Sequence, residues 1–347
     1  MQEILRTLLE RRSLNEADAR RAFSLILSGQ ANESQVGAML ALIASRGPAL
    51  EEVVGGALEM RAHAQALPIA ADDPVRATLI DTCGTGGAPK TFNVSTGAAL
   101  VAASARARDG RRAYVAKHGG RSRSGRGSAE VLAALGVNID AAPATQARCL
   151  RECGVCFSFA VNHHPAMRFA AGPRKSLGFP TIFNLMGPLS NPAGARRQLI
   201  GVYDERYVAL IAQALARLGA ERAMVVHGLD GMDEITTTNQ TMAAIVDARG
   251  SIETLRLDAI SLGIDRASLA DLEAPTLELA VGRLRDVLGG ARGAARDITM
   301  LNAAAALFVA GVADALEPAL GLAEDAIDSG RAAETLRSLA RLSHEPA

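Results

Sequence analysis

Short apolar runs alternate with helical patterns along most of the chain, beginning near residue 77. The runs lie at 78–80, 113–116, 155–157, 199–202 and 223–226, and helical patterns such as 128–135 and 207–218 lie between them. Strands that alternate with helices form a largely parallel sheet with helices on its faces. The spacing therefore predicts an α/β fold with a mostly parallel central sheet, to which 242–257 adds further strands and 297–342 adds a helical end.

The first seventy residues show a different pattern, because helix signals follow one another with no strand signal between them. Residues 13–16 and residues 32–35 each fit a capping box that begins a helix. Gly47-Pro48 ends the third helix, and a fourth runs from about 49 to 67. We therefore expect a small all-helical domain at the start of the chain.

The composition restricts the possible classes of function. Because the formal net charge is zero and aromatic residues make up only 3% of the chain, a nucleic-acid-binding protein is not favoured. No apolar run reaches the length of a membrane span, and the residues after Met1 do not begin a signal peptide, so we expect a cytoplasmic protein. Cys153-x-x-Cys156 permits a metal or redox site, but no second cysteine pair or histidine pair supplies the other ligands of a zinc site. The favoured interpretation is that these cysteines are small residues of the core.

A glycine-rich loop follows the first predicted strand. The loop contains Gly84, Thr85, Gly86 and Gly87, and Asn93, Ser95 and Thr96 stand where the next helix begins. Glycines let the backbone turn tightly and approach a ligand closely. Free N–H groups at a helix N-terminus favour an anion. The loop therefore predicts a phosphate site, with an ordinary strand-to-helix turn as the alternative, because its glycine order is neither the P-loop nor the Rossmann pattern.

A second glycine loop follows the 113–116 strand and is rich in cations. It contains Lys117, Arg121, Arg123 and Arg126, and Ser128 can cap the helix after it. Lysine occurs at only three positions in the chain, so a lysine at a strand end is not background composition. Lysine and arginine both suit phosphate groups, and open α/β sheets bind ligands at this edge. An anion site is the favoured interpretation, and a solvated basic loop is the alternative.

Three carboxylates follow the 223–226 strand within five residues, at Asp230, Asp233 and Glu234. Such groups repel one another unless a cation joins them. Magnesium binds through one or two carboxylates together with phosphate oxygens of a substrate. Asp233-Glu234 is therefore a candidate magnesium site, and an acidic turn is the alternative.

A fourth polar stretch extends from residue 163 to residue 192. It opens with the pair His163-His164, which has no carboxylate or cysteine at ligand spacing, so a metal site is not favoured there. Arg174 and Lys175 follow and could bind a carboxylate. The proline-containing pairs Gly187-Pro188 and Asn191-Pro192 predict fixed turns.

Taken in order, these stretches resemble the anthranilate phosphoribosyltransferases over nearly the whole chain. The resemblance also includes Lys117-His118-Gly119, residues 164–168, 183–193 and 227–234, and Asn302 with the alanines after it. It implies a helical domain over 1–70, with a helical segment near 165–190 packing on it, and an α/β domain over 75–347. It also implies a homodimer formed through the N-terminal helices.

The resemblance implies an activity and a role for individual residues. The phosphoribosyl group of phosphoribosyl pyrophosphate would pass to the amine of anthranilate, with magnesium, in tryptophan biosynthesis. Phosphoribosyl pyrophosphate would be bound by Gly84, Thr85, Gly86, Gly87, Thr91, Asn93, Ser95, Thr96, Lys117 and Ser128. Anthranilate would be bound by Gly84, His118, Arg174, Gly187 and Pro188, and magnesium by Ser95, Asp233 and Glu234. No dedicated acid or base is expected, because an aryl amine needs little activation, and neither nucleic acid nor membrane is expected as a partner.

Several positions depart from the family pattern. Ala88 stands where the family has Asp, and Gly120 stands where it has Asn. Residues 123–127 are one residue short, and 106–112 is longer than usual. These departures leave two alternatives open. One is a related phosphoribosyltransferase or nucleoside phosphorylase with a different acceptor, and the other is a non-catalytic relative that binds nucleic acid through the arginines between 106 and 126.

Overall fold

The computed structural model describes residues 1–86, 91–122 and 125–346, so the predictions made for Gly87, Ala88 and Arg123 lie outside the described residues. The chain begins with an all-helical segment. Its helices are α1 (Gln2–Leu9), α2 (Glu16–Leu27), α3 (Glu33–Arg46) and α4 (Leu50–Ala62). Each buries apolar side chains against the others, among them Phe23 and Met39.

Side-chain caps fix where two of these helices begin. At α3 the Asn32 side chain accepts from the Gln35 N–H at 3.0 Å, and Gln35 accepts from the Asn32 N–H, which confirms the capping box predicted for 32–35. The box predicted for 13–16 is wrong. Asn15 is the cap of α2, because its side-chain oxygen accepts from the Asp18 N–H at 2.8 Å.

The fourth helix ends earlier than the sequence indicates, at Ala62 instead of near residue 67. The segment after it bonds to distant parts of the chain. The Gln65 N–H donates to the His163 carbonyl at 2.8 Å, and the Leu67 N–H donates to the Pro192 carbonyl at 3.0 Å. These tertiary hydrogen bonds take the place of another helical turn and attach the helical segment to the rest of the molecule.

The remainder of the chain forms one seven-stranded sheet among the described residues. Its strands are β1 (Leu79–Gly84), β2 (Tyr114–Gly119), β3 (Val155–Phe159), β4 (Arg197–Gly201), β5 (Arg222–Gly228), β6 (Thr241–Val246) and β7 (Ile252–Leu257). Their order is β3-β2-β1-β4-β5-β6-β7. The first five strands are parallel, and β5, β6 and β7 pair antiparallel. This confirms the mostly parallel sheet and the two added strands.

Helices cover both faces of the sheet. They are α5 (Val94–Ser104), α6 (Ser128–Ala134), α7 (Pro143–Cys153), α8 (Ala160–His163), α9 (Arg168–Leu177), α10 (Ile182–Met186), α11 (Arg206–Arg217), α12 (Leu269–Leu272), α13 (Leu277–Leu288), α14 (Ala294–Ala310), α15 (Leu316–Asp328) and α16 (Arg331–His344). One apolar core lies around α5 and α14, and the other joins α11 and α10 to the N-terminal helices. Helix α9 packs against α3 and α2. None of the described helices has the length and apolar character needed to cross a membrane.

The connection order creates a crevice at one edge of the sheet. The chain passes from β1 outward to β2 and β3, and then crosses to β4 on the other side of β1. Loops that leave β1 and β4 in opposite directions open a gap at the carboxyl ends of these strands, where open α/β sheets bind ligands. The two strands end side by side at Gly84 and Gly201.

Candidate functional site

The acidic pair after β5 lies against the glycine loop after β1. The Asp233 carboxylate accepts from the Gly86 N–H at 3.2 Å, and the Glu234 carboxylate accepts from the Ser95 N–H at 3.3 Å at the start of α5. The structure therefore brings together two stretches that are more than a hundred residues apart. Two of the backbone amides expected to face a phosphate donate to carboxylates in this state of the protein.

Glycines at the strand ends make this approach possible. A Cβ atom at Gly84 would lie 2.5 Å from an Asp233 carboxylate oxygen, and a Cβ atom at Gly201 would lie 1.6 Å from the Asp233 carbonyl oxygen. Neither glycine has a positive φ, so the requirement is for space and not for backbone conformation. The acidic segment can lie over the strand ends only because both positions lack a side chain.

The third carboxylate has a different role from the other two. Asp230 accepts from the Met232 N–H at 3.0 Å and from the Thr236 hydroxyl at 2.5 Å, and it also accepts from the Thr238 hydroxyl. These bonds close the turn after β5. Asp230 therefore shapes the turn that carries Asp233, while the other two carboxylates point to the crevice.

Asn302 of α14 fixes the other side of this segment. Its side-chain oxygen accepts from the Ile235 N–H at 3.0 Å, and its amide donates to the Ile235 carbonyl at 2.8 Å. Asn302 is buried, so both groups of the Ile235 backbone would lose their partner without it. Sequence reasoning gave Asn302 no role at the site, although an asparagine inside an alanine-rich helix is a signal for a buried polar contact.

A buried lysine lies beneath the acidic pair and the glycine loop. The Lys117 ammonium donates to the Thr82 carbonyl at 2.7 Å and to the Ser95 hydroxyl at 3.1 Å. Burial lowers the pKa of Lys117, although the charges of the surrounding carboxylates oppose that shift. The lysine thus supports Ser95 from below and places positive charge under the loop.

The acidic pair fits a hard divalent cation. Burial raises the pKa of Asp233, and burial together with the charge of Asp233 raises the pKa of Glu234 to about 8. Adjacent carboxylates with raised pKa values are destabilised as anions, and a cation would relieve that cost. Over the described ranges, His, Cys, Asp and Glu side chains form no group of three or more that could hold a metal ion. Ligands from Ser95, a substrate or water would have to complete the site.

The other residues predicted to bind phosphoribosyl pyrophosphate lie in the segments that follow β1 and β2. The Thr85 hydroxyl accepts from the Tyr203 N–H at 2.9 Å, and the Asn93 amide donates to the Arg126 carbonyl at 3.0 Å. Thr96 is buried, and its hydroxyl has no hydrogen-bond partner among the described residues. Thr91 and Ser128 are half-buried. The prediction that Ser128 caps α6 is wrong, because Gly127 is the cap and Ser128 is the first helical residue.

A cavity of about 290 Å³ lies beside the glycine loop, between the helical segments and the sheet edge. Its lining includes all five residues predicted for the acceptor, which are Gly84, His118, Arg174, Gly187 and Pro188. The Arg174 guanidinium lies over the Phe183 ring, 5.3 Å from the ring centre. Gly120 also lines the cavity, and among the described residues a Cβ atom there would meet the Ala160 side chain alone, at 3.9 Å.

Two neutral histidines form the floor of this cavity. The ring centres of His118 and His164 lie 5.1 Å apart, and within the described part of the chain the buried Nε2 atom of each has no hydrogen-bond partner. Burial, together with the neighbouring histidines, lowers the pKa of His118 to about 3 and that of His164 to about 4. Both rings are therefore uncharged at neutral pH. His163 points elsewhere, to the Gln65 carbonyl and the Gln146 side chain.

A buried carboxylate in the middle of β1 supports His118. Asp81 is fully buried, and one of its oxygens accepts from the His118 N–H at 3.0 Å. Burial raises the pKa of Asp81, while the nearby charge of Lys117 opposes that shift. The sequence-based prediction gave Asp81 no role, although an aspartate at the end of an apolar strand pattern indicates a buried polar contact.

Three arginines of the basic stretch make contacts within the protein. Arg106 donates to the Ala103 and Ala105 carbonyls at the end of α5, and Arg111 donates to Asp109 and to the Gly311 carbonyl. Arg126 donates to the Thr91 and Ala274 carbonyls. The guanidiniums of Arg106, Arg111 and Arg126 therefore already have partners within the protein.

The cysteines are core residues. Cys149, Cys153 and Cys156 are buried, and the Cys153 thiol contacts the Cys149 carbonyl at 3.1 Å. Burial raises the pKa of Cys149 to about 12, so this thiol is not a thiolate at neutral pH. The geometry fits the interpretation of small core residues on a helix and the strand after it.

Two family models match the chain. The model described as Glycosyl transferase family, helical bundle domain, matches residues 2–64, and the model described as Glycosyl transferase family, a/b domain, matches residues 76–333. The chain is 46% identical over 328 residues to an anthranilate phosphoribosyltransferase of Moorella thermoacetica, covering 94% of this chain and 93% of that protein. It is 45% identical to the enzyme of the same name from Agrobacterium fabrum, covering 96% and 94%.

Solved structures give the same likeness. The crystal structure of anthranilate phosphoribosyltransferase from Thermus thermophilus superposes with a TM-score of 0.89 at 33% identity and covers 99% of both chains. The Saccharomyces cerevisiae protein of that name, in complex with PRPP and Mg, superposes with a TM-score of 0.87 at 23% identity, covering 99% of this chain and 97% of that one. At that identity the second match bears on the fold alone.

Proposed function

The chain belongs to the anthranilate phosphoribosyltransferase family, and from that premise we propose that it transfers the phosphoribosyl group of phosphoribosyl pyrophosphate to the amine of anthranilate, as a step of tryptophan biosynthesis. The products are N-(5'-phosphoribosyl)anthranilate and pyrophosphate. One observation carries the proposal. A half-buried acidic pair, a glycine loop and a small cavity floored by uncharged histidines meet at one edge of the sheet.

The donor would lie along the glycine loop and the start of α5. Gly84, Thr85 and Gly86 line this edge with backbone, and Asn93 and Ser95 begin the helix. Thr91, Thr96, Lys117 and Ser128 would complete this set, with Gly87 beyond the described residues. Lys117 acts from beneath, because its ammonium is held by Thr82 and Ser95, and its positive charge favours the departing pyrophosphate.

Magnesium would be held by Asp233, Glu234 and Ser95, and when bound it would supply the positive charge that stabilises pyrophosphate as a leaving group. The protein prepares this place by bringing two carboxylates together and partly burying them, which raises the pKa of both. Use of magnesium by this chain is part of the proposal.

Anthranilate would occupy the cavity of about 290 Å³, close to the lower limit of the ~300–1,000 Å³ typical for ligand pockets. Its carboxylate would pair with Arg174, and its ring would lie between the Gly187-Pro188 turn and His118. A neutral His118 can hydrogen-bond an amine without repelling the positive charge that develops on the sugar. The cavity thereby holds the nucleophile near the donor, and orientation supplies much of the rate enhancement.

The test is a double variant, Asp233→Asn with Glu234→Gln, assayed by the loss of anthranilate in the presence of phosphoribosyl pyrophosphate and magnesium. We expect kcat to fall by about a hundredfold or more. Urea-induced unfolding should show no loss of stability, because the amides avoid the cost of ionisation that raises the pKa of both carboxyl groups. Glu253→Gln, an exposed carboxylate-to-amide change on β7, is the matched control and should leave both quantities unchanged. Unchanged turnover in the double variant would remove the assignment of the acidic pair.

Binding experiments separate the donor from the acceptor. Calorimetry with phosphoribosyl pyrophosphate should detect binding when magnesium is present, and Arg174→Ala should raise the KM for anthranilate more than the KM for the donor. Equal effects on both substrates would show that Arg174 supports the fold and does not recognise the carboxylate.

A homodimer through the N-terminal helices and a cytoplasmic location are part of the same proposal. Leu9 of α1 supports the dimer, because this large apolar side chain is 68% exposed in the single chain. Light scattering coupled to gel filtration tests it, since Leu9→Glu should convert a dimer to a monomer. A monomeric wild-type protein would refute the dimer.

A further inference from the structure

A second cavity, of about 190 Å³, lies where the end of α4 meets β4 and α11. It shares no lining residue with the proposed anthranilate cavity. The two cavities are nevertheless neighbours, because side chains that line the second one hold the turn that lines the first. Arg61 donates to the Leu189 carbonyl at 2.7 Å, and Gln198 donates to the Pro188 carbonyl at 2.8 Å.

Arg61 carries a charge that no anion balances. Its only hydrogen bond among the described residues is the one to Leu189, and no described carboxylate lies within ion-pair distance of its guanidinium. Burial lowers the pKa of Arg61, with no charged neighbour opposing the shift. The C-terminal end of α4 and one carbonyl supply only partial negative charge. Arg61 is half-buried, so its guanidinium is partly withdrawn from water, and an anion placed against it would offset that loss of solvation.

The remaining walls of the cavity indicate what such an anion would look like. None of the described residues that line it is acidic. Arg196 at its edge is already paired with Glu221 at 3.2 Å, so Arg61 is the cation that lacks a counter-charge. Leu215, Leu218 and Ala220 form an apolar wall. At about 190 Å³ the space is smaller than the ~300–1,000 Å³ of drug-sized sites, so only a small molecule would fit.

We propose that this cavity binds a small carboxylate with a short aliphatic body, its carboxylate paired with the Arg61 guanidinium and its body against Leu215 and Leu218. A guanidinium is well suited to a carboxylate, because its planar set of N–H groups can donate two parallel hydrogen bonds. A ligand here would lie directly behind the turn of residues 187–189. The site is separate from the donor and acceptor sites, and it does not depend on the reaction that the enzyme performs.

Calorimetry with sodium 3-methylbutanoate tests the proposal, with sodium chloride at equal ionic strength and the neutral 3-methylbutanamide as comparison probes. We expect the carboxylate to bind and the amide to bind at least about tenfold more weakly, the difference that loss of a charged partner produces. Arg61→Gln should abolish carboxylate binding. Ala64→Leu should also abolish carboxylate binding, because the larger side chain fills the cavity while the charge of Arg61 is kept. If Arg61→Gln does not fold, Ala64→Leu alone tests the proposal.

The acceptor cavity provides the control for location. Arg174→Ala should leave the affinity for 3-methylbutanoate unchanged, because Arg174 lines only the other cavity. Three results would overturn the proposal. These are no binding of the carboxylate, equal binding by Ala64→Leu and the wild type, or loss of binding in Arg174→Ala, which would place the probe in the anthranilate cavity.

Discussion

Replacing Gly84 with alanine tests whether the strand end must be bare for the acidic pair to be in place. The added Cβ atom would lie 2.5 Å from an Asp233 carboxylate oxygen, whereas ordinary contacts of this kind begin at 3.4 Å. The carboxylate must therefore move by about 0.9 Å, the difference between those two distances. That movement is enough to break its 3.2 Å hydrogen bond from the Gly86 N–H. A misplacement of about 1 Å at a catalytic group can lower the rate ~100-fold, or ~2.7 kcal/mol.

The assay is kcat/KM for anthranilate over a range of magnesium concentrations, with urea-induced unfolding measured in parallel. We expect kcat/KM to fall about a hundredfold and the free energy of unfolding to fall by only about 1–3 kcal/mol, because the displaced atom ends a side chain. Gly282→Ala in α13 is the control. A Cβ atom there meets nothing within 4 Å, so stability should rise by about 0.5–1 kcal/mol with activity unchanged. A folded Gly84→Ala variant with wild-type kcat/KM would refute the reasoning.

Two further predictions follow from the supports of the site. Asn302→Ala should reduce the free energy of unfolding by about 2–3 kcal/mol, because it leaves the Ile235 N–H and carbonyl unpaired. Magnesium titrations of this variant should show that more metal is needed for the half-maximal rate, while the KM for anthranilate changes little. For His118, whose pKa is lowered to about 3, the unfolded chain binds a proton between about pH 6.5 and pH 3 that the folded protein does not bind. The free energy of unfolding therefore decreases as the pH falls through that window. In urea titrations at several pH values, His118→Gln should reduce the dependence of this free energy on pH by up to about 1.4 kcal/mol per pH unit. An unchanged dependence on pH would contradict the assigned burial of His118.

The fold could be predicted from sequence patterns wherever local signals and tertiary contacts agree. Alternating apolar runs predicted the parallel strands, and the box at Asn32 predicted the start of α3. The errors occur where a local signal has a competitor. Asn15 displaced Ser13 as the cap of α2, and residues 63–67 left the helical path to bond with Pro192 and His163. Hydrogen bonds between distant segments leave no periodic trace in the sequence.

The site residues could be predicted by type, but their partners could not. The sequence indicates a pair of carboxylates and a glycine loop, yet it gives no sign that the two meet at Gly86 and Ser95. It also suggested that the cations of the second glycine loop would face an anion, whereas the Arg126 guanidinium donates to the Thr91 and Ala274 carbonyls. A side chain's chemistry is local information, while its partner is a property of the three-dimensional packing.

The charge arrangement at the crevice explains why a cation and a diphosphate would be bound together. The Gly86 and Ser95 amides, which would suit a phosphate, donate to Asp233 and Glu234. A diphosphate arriving alone would meet two carboxylates at the place where it needs positive charge. Once a divalent cation lies on those carboxylates, the same surface attracts the diphosphate, with the Lys117 ammonium beneath it. Partial burial of the acidic pair strengthens this reversal, because charges interact more strongly away from water. The glycines at the ends of β1 and β4 leave the space in which the acidic pair can lie at the crevice.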